Sequence, residues 1–273
     1  MSITLLNNIS SLVAENAVSN TQTKLQSTLQ QLSTGLKINS GADDPAGLSI
    51  AAGLGASISA LTQSSQNASD GIGFLQTADG ALSQVNTILN QAVTIATEAS
   101  TGGLTTAQST ALDTEFQSIL TEINNIGSTT NYNGTAVFSA TANTTFTSDG
   151  TSAGATTTST SVGALSSTTL ALNADVLTSA TKAQTALTDI TAAIDTVSAT
   201  RGTIGASINQ LTSTSNVETT QVQNLTSAQN NVQNADIASV TSNLTQYNIL
   251  EQTGFDALAQ SNSAEQNVLK LLQ

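Results

Sequence analysis

Apolar residues recur along this chain in alternating steps of three and four, the spacing that places side chains on one narrow stripe of a helix. Leu25, Leu29, Leu32 and Leu36 keep it near the start. Near the end Ile237, Val240, Leu244 and Tyr247 keep it, and Leu250, Ala257, Ala264 and Leu271 repeat every seven residues. Each stripe must meet a partner stripe to leave water. The two termini, ordinarily the expendable parts of a protein, therefore read as helices built to pack, which points to assembly.

The pattern is helical from residue 3 to about 36 and breaks in the stretch NSGADDPAG at 39–47. Pro45, the only proline, disfavours helix in the residue before it but suits the first turn of a new one, and Asp43 or Asp44 is placed to cap that helix. Leu75, Ala78, Leu82, Val85, Leu89, Ala92 and Ala96 then alternate by three and four without a fault. A helix over about 46–100 would be roughly 80 Å long, too long to lie inside one small globule. Thr101, Gly102 and Gly103 end it, and Leu112, Phe116, Ile119, Ile123 and Ile126 mark a second, shorter helix that folds back.

Between 131 and about 172 the chain turns to Thr, Ser, Gly and Ala. Asn133-Gly134 is a tight-turn dipeptide, and 135–138, 144–147 and 167–172 read as short strands of a small β element, the most exposed and tolerant part of the chain. Helical spacing returns with Ala183, Leu187, Ile190, Ile194 and Val197, continues through Ile204, Ile208 and Leu211, and resumes at Leu225 and Val232. The expected fold is mainly α: long heptad-patterned helices in an elongated coiled-coil bundle with a small β-hairpin insert, both chain ends meeting at one pole.

Composition supports bundles over a globule. Aromatic residues make up 3% of the chain and Trp is absent, so the large fillers of globular interiors are nearly missing. Only 8% of residues are charged, and the polar faces are Ser, Thr, Asn and Gln. Such a surface repels neighbours little and suits dense packing of many copies. The net charge of −13, with the five cations Lys24, Lys37, Lys182, Arg201 and Lys270 scattered, argues against nucleic acid. The first twenty residues carry no visible cleavable secretory signal, and no apolar run reads as long enough to span a bilayer, so neither membrane insertion nor the general secretory route is expected.

With no His and no Cys, the usual triads, His-ligated metals and thiol nucleophiles are excluded. Asp43 and Asp44 are the obvious carboxylate pair, but adjacent residues point in different directions, and capping a helix and closing a turn is the plainer role. Gly53 and Gly55 form a GxG with no strand before it and no third glycine of a dinucleotide fingerprint. No catalytic, cofactor or metal site is expected, and the chain does not read as an enzyme.

The stretch LSTGLKINSGADDPAGLSIA at 32–51 closely resembles the N-terminal signature of bacterial flagellins. The likeness continues through NASDGIGFLQTADGAL at 67–82, the Tyr132-Asn133-Gly134 turn, and SATRGTIGA, NLTSAQNNVQNADIASVTSNLTQYNIL and ALAQSNSAEQNVLKLLQ in the C-terminal half. Only about 139–182 lacks a counterpart.

The resemblance implies a structural subunit that polymerises with copies of itself into the extracellular flagellar filament. It also implies termini that fold only on assembly, and a flagellar export chaperone, type III export apparatus, cap and junction proteins as partners. Mapped here, 1–42 with 234–273 would form an inner coiled-coil layer. Residues 43–138 with 183–233 would form an outer helical layer, with a core drawn from Leu75, Leu82, Val85, Leu89, Phe116, Ile119, Ile123, Leu187, Ile190 and Ile194, and 139–182 would be a short Ser/Thr-rich insert. A junction protein or a surface adhesin are the competing readings. In flagellins that activate the vertebrate innate receptor, arginines stand at positions that fall here on Gln91 and Val93, whereas the matching acidic and basic positions, Glu115 and Arg201, are kept. Weak receptor activation is expected.

Overall fold

A computed structural model of the chain describes residues 8–139, 143–148, 155–160 and 162–271. Its helices are α1 (Ile9–Thr34), α2 (Pro45–Ala99), α3 (Thr106–Thr129), α4 (Ala180–Gln233) and α5 (Ile237–Leu271). Its strands are β1 (Asn131–Tyr132), β2 (Thr135–Ala136), β3 (Asn143–Ser148) and β4 (Ala155–Thr160). The fold is mainly α. The helix expected from residue 3 begins at Ile9, and residues 3–7 lie outside the described ones. Two compact units are present, 1–55 with 225–273, and 56–224. The divisions fall inside α2 and α4, whereas the sequence marks its boundaries at the joints between helices.

In the first unit α1 and α5 pair antiparallel, from the bond between Asn8 and Glu265 to the stacking of Lys24 on Tyr247. Gly35, left-handed at φ 72°, stops α1 and donates its N–H to Gln31 C=O. Beyond it the chain bridges to the joint before α5: Leu36 pairs with Asn234, Lys37 N–H donates to Gln233 C=O at 2.6 Å, and Ala235 N–H donates to Gly35 C=O at 2.9 Å. The two acidic residues divide the work of the α1–α2 joint. Asp43 accepts from the N–H groups of Asn39 and Ser40, which holds its carboxyl below the usual range, and Asp44 caps α2 through the N–H groups of Ala46 and Gly47.

In the second unit the α2 row Leu61, Ser64, Ala68, Leu75, Ala78, Leu82, Val85, Leu89, Ala92, Ala96 and Ala99 is buried, and α4 contributes Ala183, Ile190, Val197, Ile204, Leu211 and Glu218 at every seventh position. Small Ala alternating with Leu, Ile and Val lets the helices approach closely, as the thin-seam composition requires. On α3 the deepest side chains are Phe116, Leu120 and Ile123. Ile119, Leu187 and Ile194 are only partly buried at the margin of the cluster: the stripe that α3 turns inward steps from 116 to 120 and not to 119, and on α4 the buried positions are Ala186, Ile190, Ala193 and Val197, beside Leu187 and Ile194.

Asn133 and Gly134, both with positive φ, make the two-residue turn of the β1–β2 hairpin. Tyr132 meets the ring of Phe74 edge-on at 6.0 Å, which seats the hairpin on α2. β3 and β4 pair antiparallel from Asn143↔Thr160 to Ser148↔Ala155. The strand expected at 167–172 is instead a turn. Ser166 N–H donates to Thr169 Oγ1 and Thr169 N–H to Ser166 Oγ, and this reciprocal pair curls the backbone so that Leu172 N–H reaches Ser167 C=O.

The expectation that the stretch from 131 to about 172 is the most exposed part of the chain also fails where its end is described. Val162, Leu165, Leu170, Leu172 and Leu177 are buried in the same core as α2, α3 and α4. The segment is bonded to α3, with Gln117 donating to Asp175 C=O, Leu177 N–H donating to Asp113, and Ser167 N–H donating to Asn124. A second correction concerns membranes: α2 does contain a stretch long and apolar enough to cross one by length and composition. That apolarity comes from Ala, Ile, Leu and Gly without a charge, and farther along the same helix the apolar stripe is buried against protein.

Candidate assembly surface

The α1–α5 pair meets along a seam of unusual polarity. On α1 the covered positions are Ser11, Ala14, Val18, Thr21, Leu25, Thr28 and Leu32, and on α5 they are Val240, Leu244, Tyr247, Glu251, Gly254, Leu258, Ser261 and Glu265. Both rows keep the three-four alternation. The apolar half joins the joint-proximal ends of the helices, and the far half is hydrogen-bonded. Asn8 Nδ2 donates to Glu265 at 3.1 Å, Ser261 Oγ to Asn8 Oδ1 at 3.2 Å, Ser11 Oγ to Asn262 at 3.0 Å, and Gln22 to Glu251 at 3.2 Å. Lys24 Nζ lies 6.0 Å from the centre of the Tyr247 ring, at the outer limit of a cation–π contact.

The positions expected as assembly seams therefore divide. Leu25, Leu32, Val240, Leu244 and Tyr247 are on the covered face, and Leu36 is half-buried in the joint against Asn234. Leu29, Ile237, Leu250, Ala257 and Ala264 are exposed. Leu271 closes α5, and its side chain is outside the described ones. Hydrophobic spacing alone missed Glu251, Gly254, Ser261 and Glu265, because at the polar end of α5 Leu250, Ala257 and Ala264 stand in the row beside the seam.

That outer row is not alone. Ile9 is 64% exposed, Val13 62%, Ile249 59% and Phe255 47%, with Leu12 similar. Among the described residues, every strongly exposed large apolar side chain except Val217 belongs to this unit. Single exposed apolar residues are ordinary, whereas a concentration on one helix pair marks a surface with a partner.

The four positions of the receptor region lie in the second unit. Gln91 and Glu115 are exposed on α2 and α3, Val93 is half-buried and packs on the core, and Arg201 of α4 grips Asp79 with Nε–Oδ1 at 2.7 Å and Nη2–Oδ2 at 3.3 Å. No cluster of residues able to hold a metal ion occurs among the described residues.

The family profile described as the bacterial flagellin N-terminal helical region matches residues 5–143, and that of the bacterial flagellin C-terminal helical region matches 187–272. Flagellin of Halalkalibacterium halodurans is 35% identical over 249 residues, spanning 91% of this chain and 92% of that protein. Flagellin of Listeria innocua is 30% identical over 264 residues, 89% of this chain and 90% of its own length. The crystal structure of Bacillus cereus flagellin aligns with 60% of this chain and 94% of its own at 27% identity and a TM-score of 0.49.

Proposed function

The chain belongs to the bacterial flagellin family and is a structural subunit of the extracellular flagellar filament, and we propose that its helices divide the task of assembly between two faces of one antiparallel pair. Residues 1–42 with 234–273 form the inner layer, 43–138 with 183–233 the outer layer, and 139–182 the short insert. Leu25, Leu32, Val240, Leu244 and Tyr247 hold α1 to α5 within a subunit. Leu29, Ile237 and the row Leu250, Ala257, Ala264 and Leu271 meet neighbouring subunits.

The observation that carries this reading is the concentration of exposed Ile, Leu, Val and Phe on the α1–α5 pair. Covering one half-exposed side chain of this size is worth about 1 kcal/mol, so an ordered polymer must cover many together. Contacts that repeat head to tail without closing a ring propagate as a filament. The hydrogen-bonded far half of the pair is stabilised little in water, where Ser, Asn and Gln find other partners, so the termini fold fully only as neighbours cover them. Before assembly the chain passes through the flagellar type III export apparatus with an export chaperone on its C-terminal segment, and it joins a filament bounded by cap and junction proteins. It does no catalysis.

Electron microscopy of purified protein after nucleated assembly tests the proposal. Uniform hollow filaments with α1 and α5 lining the channel are expected. Monomers that never polymerise on flagellar seeds would favour a junction protein or an adhesin.

A further inference from the structure

Glu218 occupies a core position. It continues the heptad row Ile190, Val197, Ile204 and Leu211 on α4 and is 4% exposed. Across the seam Ser64 of α2, also buried, donates its hydroxyl to Glu218 Oε1 at 2.5 Å. One turn away Ser65 and Ser215 hydroxyls meet at 2.8 Å, so the two contacts form a polar layer in an otherwise apolar seam. Glu218 Oε2 is buried with no hydrogen-bond partner.

The surroundings supply no counter-charge. From 45 to 69 the sequence of α2 contains no ionisable residue, and from 202 to 233 that of α4 contains only Glu218. The next charged residues along the two helices are Asp70, itself an acid, and Arg201, which is committed to Asp79. From the β1–β2 hairpin the titratable group facing α2 is Tyr132, whose hydroxyl lies against Gly73, well along the helix from Ser64. A carboxylate here would keep one hydrogen bond and face apolar side chains with a full charge, the arrangement proteins avoid by protonating the group.

We propose that Glu218 is a proton-binding site within the α2–α4 pair, seated as a neutral carboxylic acid, and that losing this proton as the pH rises loosens the pair at the Ser64–Glu218 layer. Burial pushes the Glu218 carboxyl above its ordinary range, against the smaller opposing effect of the Ser64 hydroxyl. Because the folded state then holds the proton more tightly than the unfolded chain, the layer is at full strength below the ordinary glutamate range. It weakens as the pH climbs through the raised value, and is flat above it. The stability of a long helix pair is thereby set locally by one proton.

The test is hydrogen exchange on the full-length monomer, resolved to 61–68 and 211–222 and corrected for intrinsic rates, together with the carbon-13 carboxyl titration of Glu218. Protection in those segments is expected to fall about tenfold for each pH unit by which the carboxyl is raised. Glu218→Gln, neutral at every pH, is expected to remove the dependence there and keep the protection of the acidic form. Glu218→Met provides the same neutral comparison if the amide packs poorly. Asp175→Asn serves as a background in which the other raised carboxyl of this unit is silent. A Glu218 titration at the ordinary glutamate value, or an unchanged pH profile in both neutral variants, would overturn the proposal.

Discussion

Gly254 of α5 faces Val18 of α1 so closely that a methyl group added at Gly254 would lie 2.6 Å from Val18 Cγ2. Val18 is itself buried, so it has little room to yield. Replacing Gly254 by Ala sets a gain in helix propensity of about 1 kcal/mol against that clash, so Gly254→Val is the cleaner test. We expect it to destabilise the α1–α5 pair by about 1–3 kcal/mol through overpacking, read as a lower denaturation midpoint of the helical signal, and to slow seeded polymerisation in proportion.

Leu250 stands beside that seam, 44% exposed. Leu250→Asp is expected to leave the monomer within about 0.5 kcal/mol of the native stability, as surface changes usually do, and yet to abolish elongation from seeds, because the carboxylate would be buried against a neighbouring subunit. Light scattering during seeded growth and circular dichroism of the monomer separate the two effects. Normal elongation of this variant would contradict an interface at that row.

Leu172 has no exposed surface although it lies in the Ser/Thr-rich stretch between the two family-matched regions. Leu172→Ala is expected to cost about 2–5 kcal/mol, the range for a buried leucine whose site does not collapse. Urea unfolding monitored on the second unit would measure it, and a loss under about 0.5 kcal/mol would return the segment to a tolerant insert.

These positions show where the sequence was legible. The α2 stripe from Leu75 to Ala96 is buried as its spacing implies, since every seam position there is apolar and hydrophobic periodicity reports burial directly. In the far half of α5 the seam toward α1 carries Glu251, Ser261 and Glu265, which hydrophobic periodicity does not register, so periodicity picks out the exposed apolar row beside it. Leu170 and Leu172 alternate like a strand, but two hydroxyl groups, on Ser166 and Thr169, decide the backbone in favour of a turn. Glu218 was unreadable, since a glutamate in a helix ordinarily marks the wet face.

Asp175 gives the pH dependence of the second unit a second source. It is 9% exposed, its Oδ2 is buried without a donor, and burial followed by the nearby Asp189 carboxyl raises it to about 6. The acid is held more tightly in the folded state, so its stabilisation is complete below about pH 4 and is lost as the pH rises through about 6. Asp175→Asn is expected to flatten stability across that window and to raise it at neutral pH by on the order of 1–3 kcal/mol. Denaturant midpoints measured from pH 4 to pH 8 in both proteins check this, and an unchanged slope in the variant would refute it.

Arg201 carries the last expectation, concerning the vertebrate innate receptor that some flagellins activate. An arginine presented to a partner must have its guanidinium free or be released from its neighbour, and here both Nε and Nη2 are bonded to the Asp79 carboxylate. At the positions where activating flagellins carry arginine this chain has Gln91, exposed but neutral, and Val93, half-buried. Losing an arginine anchor at the centre of an interface removes about 2 kcal/mol or more, roughly thirtyfold in affinity. The protein is therefore expected to activate reporter cells at least thirtyfold more weakly than a strong activator, and Gln91→Arg, which places the cation on an exposed site without disturbing the core, to recover part of the difference. A wild-type dose response matching that of the strong activator would show that neither arginine position is needed.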